Sequence, residues 1–255
     1  MEYTLKKQLG QHFLVNETIC KQIVTAIEQQ MAEHAIQNVV EVGPGGGAIT
    51  KYLYQLPDIN FTAVEFDVEK VQYLAKQYPE LKDKIVQADF LQIPPPFESP
   101  FAVVGNFPYN ISSQILFKVL DWLPQVPFCV GMFQKEVAER VAAKPGSKAF
   151  GIISVLLQAK YNISYLFDVP AEAFNPPPKV VSGVILLQRR SQPLTVASER
   201  RLQVLVKTAF GQRRKTLRNA TKSLFDAATL ADDIFNKRAE QLSLEQFAEL
   251  TFKML

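Results

Sequence analysis

Four consecutive residues, Asn106-Phe107-Pro108-Tyr109, combine a side-chain amide, a proline and an aromatic ring, which together suit the two N–H donors of an exocyclic amine on a nucleobase. The side-chain oxygen of Asn106 and the backbone carbonyl of Pro108 can each accept one N–H, and the ring of Tyr109 can stack on the base. Acceptors placed off the plane of the base favour a pyramidal nitrogen whose lone pair is free to attack. The tetrapeptide therefore predicts a site that activates a base amine, although Asn and Pro are also common in tight turns.

Residues 43–48, which read Gly-Pro-Gly-Gly-Gly-Ala directly after an apolar run, are a candidate cofactor loop. Glycine lets a ligand approach the backbone closely, and the helix N-terminus that follows favours anionic groups. Gly43, Gly45 and Ala48 satisfy the dinucleotide pattern G-x-G-x-x-A. Glu65, 22 residues after Gly43, can accept hydrogen bonds from ribose hydroxyls. These residues predict an adenosine-containing cofactor, but alone they do not separate a nicotinamide dinucleotide from S-adenosylmethionine.

The order of apolar and helical segments predicts an α/β sheet that positions these residues. The strands are predicted at 38–42, 61–66, 84–88, 101–105 and 126–132, and the helices between them at 48–56, 69–77, 113–123 and 134–143. Near-continuous apolar strands that alternate with helices are typical of a parallel, doubly wound sheet, whose chemistry lies at the carboxyl ends of the strands. Asp89 follows the third strand and is placed to meet an adenine edge, although on its own it fits a turn.

The pattern changes towards the end of the chain. The remaining elements before this change are predicted as a helix at 149–159 and strands at 161–169 and 180–187, the two strands being joined by three consecutive prolines that a helix does not tolerate. Residues 190–197 read as a linker, and from about Ser198 onward the pattern is helical. We therefore predict a catalytic α/β domain at 1–192, with a basic N-terminal arm, and a small all-helical domain at 193–255.

Charge is distributed unevenly along the chain. Residues 1–180 hold 15 basic and 18 acidic side chains, whereas residues 181–255 hold 13 basic and seven acidic ones. The stretch 200–225 contains no acidic residue and eight basic ones: Arg200, Arg201, Lys207, Arg213, Arg214, Lys215, Arg218 and Lys222. Because like charges repel, such a run indicates an anionic partner rather than an ordinary solvated helix face. A polyphosphate backbone is the obvious candidate, so we expect the C-terminal domain to bind nucleic acid.

The composition is that of an ordinary globular protein. The chain has 255 residues, of which 47% are hydrophobic and 21% charged, so it can bury a core without disulfides. Cys20 and Cys129 are far apart and lack a CxxC partner, which fits a reducing compartment and predicts no metal site. The longest apolar runs are shorter than the roughly 18 residues of a membrane-spanning helix, and residues 1–10 lack the apolar segment of a secretory signal. We therefore expect a cytoplasmic protein.

Several motifs, taken in order, resemble the KsgA-type rRNA adenine dimethyltransferases. Asn106-Phe107-Pro108-Tyr109 is similar to the N-x-P-Y motif of S-adenosylmethionine-dependent adenine methyltransferases. The other matching segments are 11–14 (Gln-His-Phe-Leu), 41–45 (Glu-Val-Gly-Pro-Gly), 174–180 (Phe-Asn-Pro-Pro-Pro-Lys-Val) and 210–219 (Phe-Gly-Gln-Arg-Arg-Lys-Thr-Leu-Arg-Asn). The resemblance runs from about Lys6 to the last basic helix.

This resemblance implies a fold, a cofactor, a substrate and a partner. The fold is a Rossmann-like methyltransferase domain followed by a small helical domain, and the cofactor is S-adenosylmethionine. Such enzymes transfer four methyl groups to the N6 atoms of two adjacent adenosines in the hairpin loop near the 3′ end of small-subunit (16S) rRNA. The implied partner is therefore the rRNA of an assembling small ribosomal subunit. We expect the protein to act on it as a monomer.

The resemblance also implies roles for individual residues. The positions that match the family's cofactor contacts are His12, Leu14, Gly43, Gly45, Glu65, Asp89 and Asn106. Asn106, Pro108 and Tyr109 would hold the target amine. Phe174 would stack on the other face of the adenine, in keeping with the need to flip a base out before chemistry on it. The residues expected to contact RNA phosphates are Arg213, Arg214, Lys215, Arg218 and Lys179, and Lys6, Lys7, Lys144 and Lys148 extend this set.

Two residues depart from the family pattern. His12 stands where many members have Asn, which leaves its contact with the cofactor open, and Phe107 stands where many have Leu. We expect neither to abolish activity, because residue 107 is the variable position of the tetrapeptide.

Four alternative functions are open at this stage. One is the related methylase class that modifies a single large-subunit adenosine and confers macrolide resistance. Another is a DNA adenine methyltransferase, although those more often carry Asp at the position of Asn106. A third is a non-enzymatic RNA-binding assembly or transcription factor on the same fold, and the intact Gly43, Glu65 and Asp89 argue against it. A nicotinamide oxidoreductase is disfavoured because no hydride-handling group is evident.

Overall fold

Residues 12–255 are described by the computed structural model, and their strands and helices occur in the alternating order that the sequence predicts. The strands are β1 (Phe13–Leu14), β2 (Asn38–Val42), β3 (Asn60–Glu65), β4 (Ile85–Gln87), β5 (Phe101–Asn106), β6 (Phe128–Gln134), β7 (Tyr161–Val169), β8 (Phe174–Asn175) and β9 (Ser182–Arg189). The helices are α1 (Glu17–His34), α2 (Thr50–Leu53), α3 (Val68–Gln77), α4 (Ser112–Asp121), α5 (Lys135–Val141), α6 (Ile152–Gln158), α7 (Glu199–Gly211), α8 (Leu217–Ala220), α9 (Ala227–Leu230) and α10 (Leu244–Lys253). Short 3-10 helices lie at Pro79–Lys84, Tyr109–Ile111, Ala171–Ala173, Asp233–Asn236 and Ala239–Gln241.

The main sheet has seven strands in the order β4-β3-β2-β5-β6-β9-β7. Its first five strands pair in parallel, as the apolar runs predict, and their bounds agree with the predicted ones to within about two residues. The sixth strand, β9, pairs antiparallel with β6, so the sheet is mixed rather than parallel throughout. The carboxyl ends of β2, β3, β4, β5 and β6 therefore lie along one edge, and the amino end of β9 meets them there.

Helix α1 shows how local sequence fixes the elements that cover the sheet. The side chain of Asn16 accepts a hydrogen bond from the amide of Ile19 at 3.1 Å, which caps the helix start. Ile23 and Ile27, one helical turn apart, are fully buried and belong to the same core cluster as residues of β2, β3 and β6. The cap fixes where the helix starts, and the burial of its apolar face holds it on the sheet.

A second, two-stranded sheet was not predicted. Strands β1 and β8 pair antiparallel, with Leu14 opposite Phe174, and the amide of Val15 donates to the carbonyl of Ala173 at 2.8 Å. Two strands of two residues each carry no periodicity that a sequence pattern can detect. Their pairing fixes residues 13–15 beside the segment that precedes the proline run.

The described chain divides into two compact units. One comprises residues 12–138 and 164–189, and the other comprises residues 139–163 and 190–255. In the second unit Phe210 contacts Phe150 edge-on at 6.2 Å between ring centroids and stacks on Phe247 at 5.9 Å. Residues 199–253 of this unit contain helices and no strand. The assignment of catalysis to residues 1–192 and of RNA binding to residues 193–255 stays a prediction.

The Phe107 ring has room because the neighbouring strand β6 carries a glycine, Gly131, beside it. The ring is 1% exposed and packs edge-on against Phe133 at 5.0 Å. A Cβ added at Gly131 would lie 2.2 Å from the Phe107 ring. The larger side chain at the variable position of the tetrapeptide is therefore compatible with the fold because residue 131 is glycine. No helix within residues 12–255 has the length and apolarity needed to cross a membrane.

We predict that Gly131→Ala lowers the free energy of unfolding by about 1–3 kcal/mol, because the new methyl group overlaps the buried Phe107 ring. Adding Phe107→Leu should recover part of the loss by removing the overlap with Phe107, while the closer approach to Phe133, at 2.8 Å, stays. The control is Gly211→Ala, where no atom lies within 4 Å of the added Cβ. Denaturant unfolding of the four proteins measures the effect, and an equal loss with and without Phe107→Leu would contradict the explanation.

Candidate functional site

The glycine loop and the tetrapeptide touch each other. Gly43 begins the loop after β2 with φ +66°, and its amide donates to the carbonyl of Val64 at 2.9 Å. A Cβ added at Gly43 would lie 3.3 Å from both Cγ and Cδ of Pro108. Residue 43 therefore needs glycine both for its left-handed conformation and for this close approach. The two segments that the sequence predicts separately, one for a cofactor and one for an amine, therefore lie against each other at the ends of the neighbouring strands β2 and β5.

Glu65 ties the glycine loop to the end of β3. Its carboxylate is 5% exposed and accepts the amide of Gly45 at 3.2 Å through one oxygen and the amide of Asp67 at 3.0 Å through the other. Lys70 Nζ lies 4.0 Å from the same carboxylate. Each oxygen can still accept a further hydrogen bond. The position fits the ribose-binding role expected for Glu65, and that role stays a prediction.

Glu41 is a buried carboxyl beneath the loop, on β2, to which the sequence assigned no role of its own. It is 2% exposed and accepts a hydrogen bond from the Thr50 hydroxyl of α2 at 2.7 Å. Burial raises the pKa of Glu41 to about 8; the Thr50 hydrogen bond opposes this rise, and the nearby Glu65 carboxylate adds to it. At neutral pH Glu41 is therefore largely protonated, and it links β2 to α2 on the two sides of the glycine loop.

The ends of β3 and β4 carry one predicted residue, Asp89, and one residue that the sequence analysis did not predict, Phe66. Asp89 follows β4, and its carboxylate accepts the amide of Leu91 at 2.9 Å, which is the turn geometry that was the alternative to an adenine contact. Phe66, the residue after Glu65, is 76% exposed, and Val86 on the adjacent strand β4 is 42% exposed. An exposed aromatic ring beside a strand-end carboxylate offers a base a face to stack on. The signal for it in the sequence is an aromatic residue directly after Glu65.

The tetrapeptide lies at the end of β5. Asn106 is half-buried, and among the described residues its side chain has no hydrogen-bond partner. The carbonyl of Pro108 accepts the amide of Ile111 at 3.2 Å, which leaves its second lone pair for another donor. The hydroxyl of Tyr109 lies 2.6 Å from Oγ of Ser182. Burial raises the pKa of Tyr109, so the ring stays a neutral phenol. The arrangement leaves two acceptors and one aromatic ring for a base amine.

The N-terminal motif lies partly against the loop and partly in the core. His12 contacts the carbonyl of Pro176 through Nδ1 at 2.7 Å, and Leu14 is 4% exposed. Phe13, which was not predicted as a site residue, lies over the loop: a Cβ added at Gly46 would be 3.1 Å from its ring. Gln11, Lys6 and Lys7 lie outside the described residues.

Phe174 is placed in the core rather than on an open face of the site. Its ring is 2% exposed and belongs to the same buried cluster as Leu14 and Ala173. The physical reason is the β1–β8 pairing, which sets Phe174 opposite Leu14. Its stacking on an adenine stays a prediction, and it requires the ring to leave this packing.

The basic residues of the second unit fall into two groups. Arg213 donates to the carbonyls of Lys148 and Phe150, and Arg218 donates to the carbonyl of Leu230 at 3.0 Å. These two arginines therefore hold the fold of their own unit. Arg214 and Lys215 are exposed, and in the described part of the chain neither side chain has a hydrogen bond or an ion pair. Lys144 and Lys148 of the same unit are also exposed, as is Lys179 of the first unit.

The chemistry of the described residues does not suggest a metal centre. No group of three or more His, Cys, Asp or Glu side chains within residues 12–255 is close enough to hold a metal ion. Cys20 and Cys129 are buried, and burial raises the pKa of Cys20 to about 11. Neither thiol is placed for nucleophilic chemistry.

Comparison with known proteins gives a consistent family. The family model described as ribosomal RNA adenine dimethylase matches residues 2–252. The ribosomal RNA small subunit methyltransferase A of Cytophaga hutchinsonii is 49% identical over 96% of this chain and 95% of its own length. The protein of the same name from Flavobacterium johnsoniae is 50% identical over 98% of this chain and 95% of its own length.

Two solved structures share the fold. A dimethyladenosine transferase from Plasmodium falciparum superposes with a TM-score of 0.75 at 24% identity, over 94% of this chain and 96% of that chain. The 23S rRNA methyltransferase ErmE superposes with a TM-score of 0.68 at 25% identity, over 94% of this chain and 99% of that chain. Both likenesses extend over the α/β sheet and the helical C-terminal part.

We predict that Glu41→Gln gains stability relative to the wild type as the pH rises from about 5 to about 8. The folded-state pKa of Glu41 lies above its ordinary value of 4.5. The stability that the protonated carboxyl contributes to the wild type is therefore fully present below pH 4.5 and is lost as the pH rises towards about 8. The variant has no proton to lose. Thermal unfolding over this pH range measures the difference in stability between the two proteins. The control is Glu28→Gln, which changes an exposed glutamate of α1. A constant difference between Glu41→Gln and wild type would contradict the assignment.

Proposed function

The chain belongs to the ribosomal RNA adenine dimethylase family, and from this premise we propose that it dimethylates two adjacent adenosines in the hairpin loop near the 3′ end of small-subunit rRNA. As a member it is an rRNA adenine dimethyltransferase. The main support for placing the reaction at the glycine loop and the tetrapeptide is the contact of Gly43 with the Pro108 ring. Through this contact a cofactor on the glycine loop and an amine on the tetrapeptide become neighbours.

The proposed cofactor is S-adenosylmethionine, which supplies an activated methyl group on a sulfonium. Gly43 and Gly45 have φ values of +66° and +59°, which glycine adopts readily, and they give the loop a backbone without side chains that a ligand can approach closely. Glu65 has acceptor capacity for ribose hydroxyls, and the exposed ring of Phe66 offers a stacking face for adenine. His12, Leu14 and Asp89 complete the proposed set of cofactor-binding residues. His12 and Leu14 are proposed to contribute by holding residues 13–15 beside the glycine loop.

The proposed catalytic groups are Asn106, Pro108 and Tyr109. The Asn106 side-chain oxygen and the Pro108 carbonyl accept the two N–H groups of the adenine N6 amine, and the Tyr109 ring stacks on the base. Held in this way, N6 would direct its lone pair at the methyl carbon of the sulfonium. As the N–C bond forms, the S–C bond would break with its electron pair staying on sulfur, and N6 would then lose a proton to water. The site needs no strong base for this step, and it gains rate chiefly by positioning. Phe174 is proposed to stack on the other base face after movement of its ring.

Binding of the RNA is proposed to rest on exposed cations. Arg214 and Lys215 lie next to each other in the segment between α7 and α8, and their side chains have no partner in the described chain. Lys144, Lys148 and Lys179 are further exposed candidates. The side chains of Arg213 and Arg218 instead donate hydrogen bonds to backbone carbonyls. Contacts of this kind position RNA without reading its sequence. A folded hairpin with splayed bases would supply the selectivity.

The substrate is proposed to be the rRNA of an assembling small subunit in the cytoplasm, bound by a monomer. The support is that relatives 49% and 50% identical over nearly the whole chain are named small subunit methyltransferase A. A second candidate is methylation of large-subunit rRNA, which the superposition on the 23S rRNA methyltransferase ErmE favours at 25% identity. The two candidates differ in the acceptor RNA, so one experiment separates them.

We predict that the protein transfers labelled methyl groups from S-adenosylmethionine to unmethylated small subunits, as N6-dimethyladenosine, and not to large-subunit rRNA or duplex DNA. Asn106→Ala should lower the rate roughly 100-fold, because an acceptor that orients the amine is lost. The matched control is Asn162→Ala, an exposed asparagine of β7. Label in large-subunit rRNA would replace the proposal by the second candidate. Bound cofactor without any transfer would indicate a non-enzymatic assembly factor.

We predict that reversing two charges, Arg214→Glu with Lys215→Glu, weakens RNA binding and reduces the slope of log affinity against log salt by about two, one for each lost phosphate contact. Cofactor affinity and thermal stability should stay at wild-type values, because neither side chain has a partner in the described chain. The control with the same change of charge is Lys76→Glu with Lys82→Glu, at two exposed lysines of the first unit. An equal loss of RNA affinity in the control would show a general effect of net charge instead.

A further inference from the structure

Ser182 holds the hydroxyl of the proposed stacking residue. It is the first residue of β9, it is fully buried, and its Oγ lies 2.6 Å from Oη of Tyr109. Among the described residues neither side-chain oxygen has another hydrogen-bond partner. A serine hydroxyl that is buried completely and bonded to one group fixes that group closely, because either oxygen would otherwise be left unpaired.

The topology of the sheet explains why a residue 73 positions away in sequence meets Tyr109. Strands β5 and β6 run parallel, with Asn106 opposite Met132, so their carboxyl ends lie at one edge. Strand β9 runs antiparallel to β6, with Ser182 opposite Gln134, so its amino end returns to that same edge. The single antiparallel strand next to β6 therefore brings Ser182 to the tetrapeptide.

The backbone on both sides of Ser182 is itself held in place. On one side, the amide of Lys135 donates to the carbonyl of Val181 at 2.9 Å. On the other side, a Cβ added at Gly183 would lie 2.3 Å from the hydroxyl of Tyr165, so this strand and Tyr165 pack without a side chain between them. Tyr165 in turn donates to Asp168, which also binds Nζ of Lys135 at 2.6 Å. The anchor point for Tyr109 is thus a rigid one.

We propose that Ser182 is a positioning residue for methyl transfer, which fixes the Tyr109 ring in the orientation that stacks on the target adenine. This inference rests on the proposed function of the site. The ring of an untethered tyrosine can rotate about its side-chain bonds, and a base stacked on it would share that freedom. The hydroxyl pair removes this freedom before the base arrives, which lowers the cost of reaching a reactive geometry.

The second transfer to each amine should depend on this tether more than the first. An unmethylated N6 amine has two N–H groups, one for Asn106 and one for Pro108. After the first transfer a single N–H is left, so one of the two acceptors is without a donor. Stacking on Tyr109 then contributes a larger share of the positioning. Loss of the tether should therefore raise the proportion of N6-monomethyladenosine in the product.

The test compares Ser182→Ala, Tyr109→Phe and the double variant in methyl transfer to unmethylated small subunits. Both single variants should lower kcat by the same factor, about tenfold, with KM for RNA and affinity for S-adenosylmethionine within about twofold of wild type. The double variant should match the single ones, because all three remove the same hydrogen bond. The monomethyl fraction should rise in all three. If Ser182→Ala does not fold, Ser182→Cys, whose thiol is a weak hydrogen-bonding group, takes its place.

The control is Ser154→Ala, which removes another fully buried serine hydroxyl, bonded to the carbonyl of Arg140 at 2.5 Å. It should keep the wild-type kcat and product ratio even if its melting temperature falls. The proposal is overturned if Ser182→Ala keeps the wild-type rate and product ratio while Tyr109→Phe is slow, if the two effects add in the double variant, or if Ser154→Ala changes the product ratio equally. Failure of the wild type to methylate adenine at all would instead overturn the proposed function, and this inference with it.

Discussion

The close approach of Gly43 to the Pro108 ring is the constraint on which the site depends. Parallel strands β2 and β5 are neighbours, so the loops after them leave the sheet side by side. A side chain at residue 43 would separate them, because a Cβ there lies 3.3 Å from the proline ring. The positive φ of Gly43 and this contact together bring the two loops against each other. Under the proposed function a methyl donor on one loop and a methyl acceptor on the other need this proximity, since the rate of transfer depends on their alignment.

Each residue of the tetrapeptide after Asn106 is fixed by a different neighbour. The Phe107 ring fills the space over Gly131, the Pro108 ring packs on Gly43, and the Tyr109 hydroxyl pairs with Ser182. Asn106 is the exception, because its side chain has no partner in the described chain. The fold thus restrains Phe107, Pro108 and Tyr109 and leaves the side-chain amide of Asn106 for a ligand. A preorganised site of this kind pays little for ordering when its substrate binds.

Charge shows the same division between structural and available groups. The run of basic residues at 200–225 looks uniform in sequence, yet Arg201, Arg213 and Arg218 bind backbone carbonyls within their own unit. Arg214 and Lys215 are exposed, and their side chains have no partner in the described residues. Composition predicts an anionic partner for the whole run, whereas the structure separates the arginines that bind carbonyls of their own unit from the side chains that stay available.

Local sequence patterns predict the features that depend on neighbouring residues: the five parallel strands from their apolar runs, the glycine loop, Glu65 at a strand end and Asn106-Phe107-Pro108-Tyr109 at another. Only the folded chain shows the β1–β8 pair, the burial of Phe174, the grouping of 139–163 with 190–255, and the contacts of Gly131 and Ser182. The reason is physical. Periodicity and turn chemistry are local, whereas strand register and side-chain packing join residues far apart in the chain, and no local pattern encodes which two of them will meet.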